Sequence, residues 1–522
     1  MLMFNRKKLL LTFQLILLVV IALFLRVYEI ADRPFHSDEG VNFYFVQGML
    51  KNGYYHYSHQ NFHGPAYFYL LMFCHYFFGD SEFSHRLAAI IPGMGIVLMP
   101  FFLLGICSRY SLYVSALLLA MSSSLVYYAR YSIHESLLVF ASLWLLFAAF
   151  RWVERREGPM LIHIGLATAL LFATKETSII TFFAFIISGA LIYSPLRLFA
   201  LLRLHFSFLM WGVFLFFAVT FTLFSGFYQD SDGIRELFLG IQQWIGRGHS
   251  DTGHHKPFRY YFNIIKNAEP IALLVIFPIL FCVYKFIFSF ARIVKKKNSN
   301  QNIFLRWYYS WYESFSSAEE RSMLASGIYA FVNFMVYSFV PYKTPWLIIN
   351  IVAPAIFSLG LFISKIRPKI ISCLLVMISL GISFKYVIAF NVANEHMPKW
   401  LSSMITPNGT YGDSNPYSYV HTSKGMIDLI KDIEAYAGDD LEVKILLGAK
   451  SYWPLPYYLR HRAKDLLYYA TDSPDSNLIK GYHVLILNHT VGWSHPDWEV
   501  KYYRLSDVQE SKVFFLKKRA LL

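Results

Sequence analysis

Charged residues are scarce in this chain: Asp, Glu, Lys and Arg make up only 15% of its 522 residues, while 56% are hydrophobic. A soluble domain has roughly a quarter of its residues charged, so that class is excluded and a chain immersed in lipid is indicated. Cysteine is sparse too. Cys74, Cys107, Cys282 and Cys373 all lie in apolar stretches and none pairs in a CxxC, which leaves no zinc knuckle or disulfide framework and reads as small buried packing residues. A phosphate-cradling Gly-rich loop, an HExxH and a GxSxG are all missing, so nothing supports nucleotide binding at a cytoplasmic face. Internal repeats and matched pairs of Gly/Pro-broken helices, which mark many secondary transporters, are missing as well.

What the chain has is aromatic and apolar. Phe, Trp and Tyr reach 19%, as suits rings packed against lipid and seated at its interface. The formal charge of +14 comes from short clusters between apolar runs, the pattern of cytoplasmic anchors rather than of a nucleic-acid-binding face. Arg6-Lys7-Lys8 precedes an apolar run to about residue 25 without a small-residue cleavage site, so the run reads as a retained first span. About 20 apolar residues cross the hydrocarbon. Candidate spans lie near 8–27, 86–106, 110–128, 134–150, 160–174, 178–195, 205–227, 269–290, 322–340, 346–364 and 370–390.

A further run, 64–79, is short, opens Gly-Pro and carries His75. Counted as a span, it would put Arg151/Arg155/Arg156, Arg197/Arg203, Lys295-Lys296-Lys297 and Lys365/Arg367/Lys369 outside. Laid at the outer interface, it keeps all of these in the cytoplasm with Arg6-Lys7-Lys8. The expected architecture is therefore an all-α polytopic domain, residues 1–391, with about eleven spans and one outer juxtamembrane helix. Parity then collects the first loop 28–63, the turns 130–135, 175–176 and 341–345, the loop 228–268 and the tail on one non-cytoplasmic side. Segment 291–320 becomes a cytoplasmic loop. The tail, 392–522, reads as a small extracytoplasmic α/β domain: Ser423 caps a helix with Met426, Leu429, Ile430 and Ile433 on one face, ending near Gly438, and strands lie at 443–447, 484–487 and 513–516.

Polar residues gathered at a membrane surface are the candidate chemistry. His36-Ser37-Asp38-Glu39 follows the first span. Either carboxylate could take a proton from an acceptor hydroxyl, or the pair simply complements the dipole of a helix over 40–49. Glu135 follows Arg130 in a tight turn with Tyr127, Tyr128 and Tyr131, which otherwise reads as a helix start with interfacial tyrosines. Lys175-Glu176 could serve a substrate or form a local ion pair. Lys343 beside Trp346 could meet a phosphate in an apolar groove or snorkel. His56, His59 and His63 are spaced for a divalent metal on a helical face, but Asn61 and Gly64-Pro65 favour an irregular loop in which His63 would bind substrate. No metal ligands are assigned, although a divalent ion is compatible with the composition. Asn408-Gly409-Thr410 is a glycosylation sequon.

An acidic motif just after the first span resembles the GT-C glycosyltransferases, which include protein O-mannosyltransferases and lipid A aminoarabinose transferases. Arg33-Pro34-Phe35-His36-Ser37-Asp38-Glu39, His63-Gly64-Pro65, Lys175-Glu176-Thr177, Lys343-Thr344-Pro345-Trp346-Leu347 and Trp453-Pro454-Leu455-Pro456-Tyr457-Tyr458-Leu459-Arg460 more closely resemble the flippase-activity-associated family of archaea and bacteria. The resemblance implies an inner-membrane transferase that takes a sugar from a polyprenyl-phosphate carrier, usually with inversion, to a glycan, lipid or protein acceptor. It maps the catalytic acid onto Asp38, with Glu39 beside it. Related transferases carry Arg-x-Asp where this chain has its carboxylate five residues after Arg130, at Glu135. Arg130, Lys175 or Lys343 would offset charge on the leaving phosphate, with His36, His63 and Trp346 about the substrate. The alternative is a non-catalytic partner or transporter of lipid-linked oligosaccharide.

Overall fold

The computed structural model describes residues 2–61, 63–250, 254–295, 308, 310–392, 415–438, 443–448, 452–461, 463–468, 479, 481–488, 490, 492–506 and 509–517. The sequon at 408–410 and, within the loop 291–320, residues 296–307 and 309, which include positions 296–297 of the lysine cluster, lie outside the described residues.

Among the described residues, eight helices are long and apolar enough to cross a membrane: Lys8–Val27, Glu82–Leu103, Glu135–Arg155, Phe206–Phe224, Pro270–Ala291, Ala318–Phe339, Pro345–Lys365 and Lys369–Val392. Two more expected spans are bent. Arg109–Ala120 meets Ser123–Ala129 at 61°, and Ser178–Ile192 meets Pro195–Leu204 at 106°; with each bent pair as one span the number is ten. Met160–Thr174, also expected to span, has 15 residues, and Ala66–Phe78 has 13. At about 1.5 Å per residue both are too short for the ~30 Å hydrocarbon core, which is as expected for the juxtamembrane helix Ala66–Phe78 but corrects the expected eleven spans to eight to ten. The first bend has a local cause. Ser122 caps the second half, while its hydroxyl and the Ser124 N–H and hydroxyl all donate to the buried Glu269 carboxylate.

Pro345–Lys365 is the hub, packed against Ala318–Phe339, Arg109–Ala120 and Glu135–Arg155. The first span and Phe206–Phe224 are peripheral and expose Phe13, Ile16, Val20, Phe214 and Phe217, a surface suited to lipid. Tyr127, Tyr128 and Tyr131 correct the interfacial reading, since all three are buried. Cys74, Cys107 and Cys282 are buried as expected, but Cys373 is exposed.

In the tail, helix Lys424–Ala437 runs from Ser423 to Gly438 and buries Met426, Leu429, Ile430 and Ile433. Five strands follow: β1 Val443–Leu447, β2 Ala463–Tyr468, β3 Val484–Asn488, β4 Trp498–Ser506 and β5 Gln509–Leu516. Their order is β2-β1-β3-β5-β4. β1 is parallel to β2 and β3, and β5 is antiparallel to β3 and β4. β2 and β4 were not anticipated. β2 interrupts its apolar run with Lys464 and Asp465, and β4 leaves Glu499 to Tyr502 exposed, so neither carries a sustained apolar signal.

The tail grips the helical body through the segment 453–460. Helix Leu455–Tyr458 packs on helix Ser37–Asn52 of the first loop, where only glycine fits: a Cβ on Gly40 would lie 2.7 Å from that of Pro454. The Phe35 N–H donates to the Tyr458 hydroxyl at 2.8 Å, and Arg460 Nε donates to Asp80 Oδ2 at 2.8 Å.

Candidate active site

The loop helix starts abruptly because His36 caps it. Its Nδ1 accepts the Asp38 N–H at 3.0 Å, its Nε2–H donates to the Tyr419 carbonyl at 2.7 Å, and Glu39 completes the capping box by accepting the His36 N–H at 2.9 Å. Both ring nitrogens of His36 are thus committed to the backbone.

Within the first turn of that helix, two adjacent carboxylates then face different ways. Asp38 has a side chain 45% exposed and faces a cavity of about 480 Å³. Among the described residues its carboxylate makes no hydrogen bond, and His36 Nδ1 lies 3.9 Å away. Glu39 turns inward. It accepts from Arg86 Nε at 2.9 Å and Nη2 at 3.0 Å, and from the Ser132 N–H at 2.9 Å, in a pair whose two side chains have 0% exposure. Burial alone would raise its pKa. The Arg86 guanidinium and these hydrogen bonds outweigh that and hold it down at about 2.

The facing wall comes from the turns 130–135 and 175–176. Lys175 and Glu135 form a buried ion pair and both line the cavity. The expected local pair with Glu176 is not formed. Glu176 instead lies 3.4 Å from His63 Nδ1, and His63 also lines the cavity. This contact needs Gly64, whose Cβ would sit 2.2 Å from the Ala173 carbonyl oxygen. The His134 ring packs at a tilt against those of His63 and Tyr67 and lines the same space with a buried Nε2 that has no partner among the described residues. His56 and His59 turn to Asp230 and Glu236, so the three loop histidines each meet a different carboxylate and do not converge on one point.

Two of the expected cations stand back from the cavity. Arg130 donates to the carbonyls of Tyr28 at 2.7 Å and Asn391 at 3.1 Å. Lys343 is buried, with Nζ on the carbonyls of Val340 and Lys256, and burial lowers its pKa. Among the described residues Lys175 is the one Lys or Arg lining the cavity, and Trp346 lines it too.

The sequence offered no sign of Tyr419 and Val420, which line the cavity together with His254, one of the histidines of the loop 228–268. Val420 holds φ at 50°, a conformation that costs a β-branched residue about 1–3 kcal/mol and marks functional sites. His421 helps to fix it by accepting the Tyr419 N–H at 3.0 Å and meeting the Tyr127 hydroxyl at 2.7 Å. Burial, then the neighbouring His36 and Arg33, push its pKa well below the usual imidazole range.

An open carboxylate and a buried cation thus share one cavity on a polytopic bundle. Residues 62–224 match the family described as dolichyl-phosphate-mannose-protein mannosyltransferase, a stretch that contains His63, Arg130, Glu135 and Lys175 but begins after Asp38. In structure the chain is similar to ArnT from Cupriavidus metallidurans in the apo state, with TM-score 0.61 and 15% identity over 96% of this chain and 98% of that one. It is also similar to ArnT from the same organism bound to undecaprenyl phosphate, with TM-score 0.59 and 13% identity over 96% and 97%. No curated protein sequence matches the chain. The narrower flippase-activity-associated resemblance rests on the motifs alone.

Proposed function

We propose that this chain is a multi-pass glycosyltransferase of the cell membrane that moves a sugar from a polyprenyl-phosphate carrier to a hydroxyl acceptor on the non-cytoplasmic face. The observation that carries this reading is that Asp38 and Lys175 line one cavity in an ArnT-like fold. A solved example of that fold is bound to undecaprenyl phosphate.

Asp38 is the general base. The acceptor oxygen attacks the anomeric carbon, its proton passes to the Asp38 carboxylate, and the bond from that carbon to the phosphate oxygen breaks on the opposite face, giving inversion. The carrier departs as polyprenyl phosphate, and Lys175 offsets its charge. Glu135 holds Lys175 in place, Glu39 anchors the loop helix that presents Asp38, and His63 and Trp346 shape the sugar-side wall. Lys343 and Arg130 secure the surrounding backbone rather than the phosphate.

The test is reconstitution in vesicles with radiolabelled polyprenyl-phosphate sugars and membrane acceptors. Label should move to the acceptor as free polyprenyl phosphate accumulates. Carrier that binds or crosses the bilayer with its sugar intact would support a transporter instead. Sidedness is tested by cysteine reporters in a cysteine-free background: positions 37 and 230 should label from outside, and 156 and 367 only after permeabilisation. External labelling at 156 would reverse the proposed face.

A further inference from the structure

A second polar cluster lies outside the cavity lining, where helices Ala66–Phe78 and Glu82–Leu98 meet. His75, Asp80 and His85 each place one potential ligand atom within 4.8 Å of the other two. His85 is 1% exposed, and among the described residues neither of its ring nitrogens has a hydrogen-bond partner; His75 Nδ1 and Asp80 Oδ1 are likewise buried and unpartnered there. Buried polar atoms are ordinarily paired, so this group is short of a binding partner that all three share.

Its chemistry defines that partner. His85 Nε2 stands 3.8 Å from Asp80 Oδ1, too far for a hydrogen bond but close to the separation of two donors on one small cation. Arg460 holds the other Asp80 oxygen at 2.8 Å, which orients the carboxylate and leaves Oδ1 to bind. The rings of Phe35, Phe43 and Tyr457 pack around His85 and keep bulk water from satisfying it. Two imidazoles and a carboxylate are borderline donors that suit zinc, whose ligands lie at about 2.0–2.2 Å in a tetrahedron. Side-chain adjustments of about 1 Å would bring the three donors to that geometry.

We propose that His75, Asp80 and His85 bind one zinc ion, with a fourth position left for water. Because Asp80 is held by Arg460, the ion ties the hairpin between the two helices to the segment of the tail that grips the loop helix. The site is separate from the cavity lining, and it does not depend on the proposed transfer reaction.

To test this, purified full-length protein in detergent is stripped with a chelator, titrated with Zn²⁺, desalted and assayed for metal per chain, alongside His75→Gln, Asp80→Asn and His85→Gln. The parent should retain one equivalent more than each variant. Co²⁺ in place of Zn²⁺ should give tetrahedral visible absorption bands that the variants lose, and Zn²⁺ should raise the thermal midpoint of the parent alone. His75 is only half-buried, so His75→Gln keeps the comparison available if His85→Gln fails to fold. Equal zinc content and equal cobalt spectra in the parent and folded His75→Gln would overturn the proposal, as would a parent that holds no zinc above the chelated baseline.

Discussion

Asp38 and Glu39 are neighbours in sequence and in one helix turn, yet their surroundings are opposite. The wall around Asp38 is open, without a cation or hydrogen-bond donor on the carboxylate among the described residues. The wall around Glu39 is closed, with both oxygens taken by Arg86 and backbone N–H groups. Successive helical residues point about 100° apart, which is enough to send one carboxylate to the cavity and the other to the core. The difference teaches that acidity alone does not mark a base. A base needs an unspent lone pair and room for a substrate.

The sharpest way to break this contrast is Asp38→Asn, which preserves size but cannot accept a proton. Transfer should fall by about 10²–10⁴-fold while folding and carrier binding persist. Transfer at the parental rate would move the base elsewhere, with Glu135 the next candidate.

Glu39→Gln should do the reverse and act on stability. Removing one partner of a buried ion pair costs about 3–5 kcal/mol, visible as a lower thermal midpoint with remaining folded protein still able to bind carrier. The folded-state pKa of Glu39, about 2, lies below its ordinary 4.5. Its stabilisation is therefore complete above about pH 4.5 and is lost as pH falls towards 2. The stability gap between parent and variant should be flat from pH 5 to 8 and narrow below about 4.5; a gap independent of pH across that range would mean that the carboxylate charge is not what stabilises.

Across the cavity the same logic separates two lysines. Lys175→Ala should weaken carrier binding by about ten- to a hundredfold, the value of a charge-assisted contact of about 1.5–3 kcal/mol, and Lys175→Arg should restore much of it. Unchanged affinity in Lys175→Ala would remove it from the phosphate. The smallest effect on binding belongs to Lys343→Ala, which should leave carrier affinity at the parental value. It should lower stability by about 1–3 kcal/mol, because the carbonyls of Val340 and Lys256 lose a donor. A tenfold loss of affinity there would return the phosphate to Lys343.

Hydropathy and helix-boundary signals, read along the chain, are local properties, and they were enough for the apolar helices of the body, the short helix Ala66–Phe78 and the tail helix between Ser423 and Gly438. They also gathered His36, Asp38, His63, Glu135, Lys175 and Trp346 as candidates, because polar residues at span ends are costly without a purpose. Packing decided the rest. Arg86 claims Glu39 from 47 residues away, Glu135 rather than Glu176 pairs with Lys175, and Tyr419, held through its carbonyl by His36, reaches the cavity with Val420 from the far end of the chain. Such contacts depend on which surfaces meet in space. Hydrophobic period and charge order determine where a chain crosses a membrane, but the direction in which each carboxylate points is settled only when distant helices close around it.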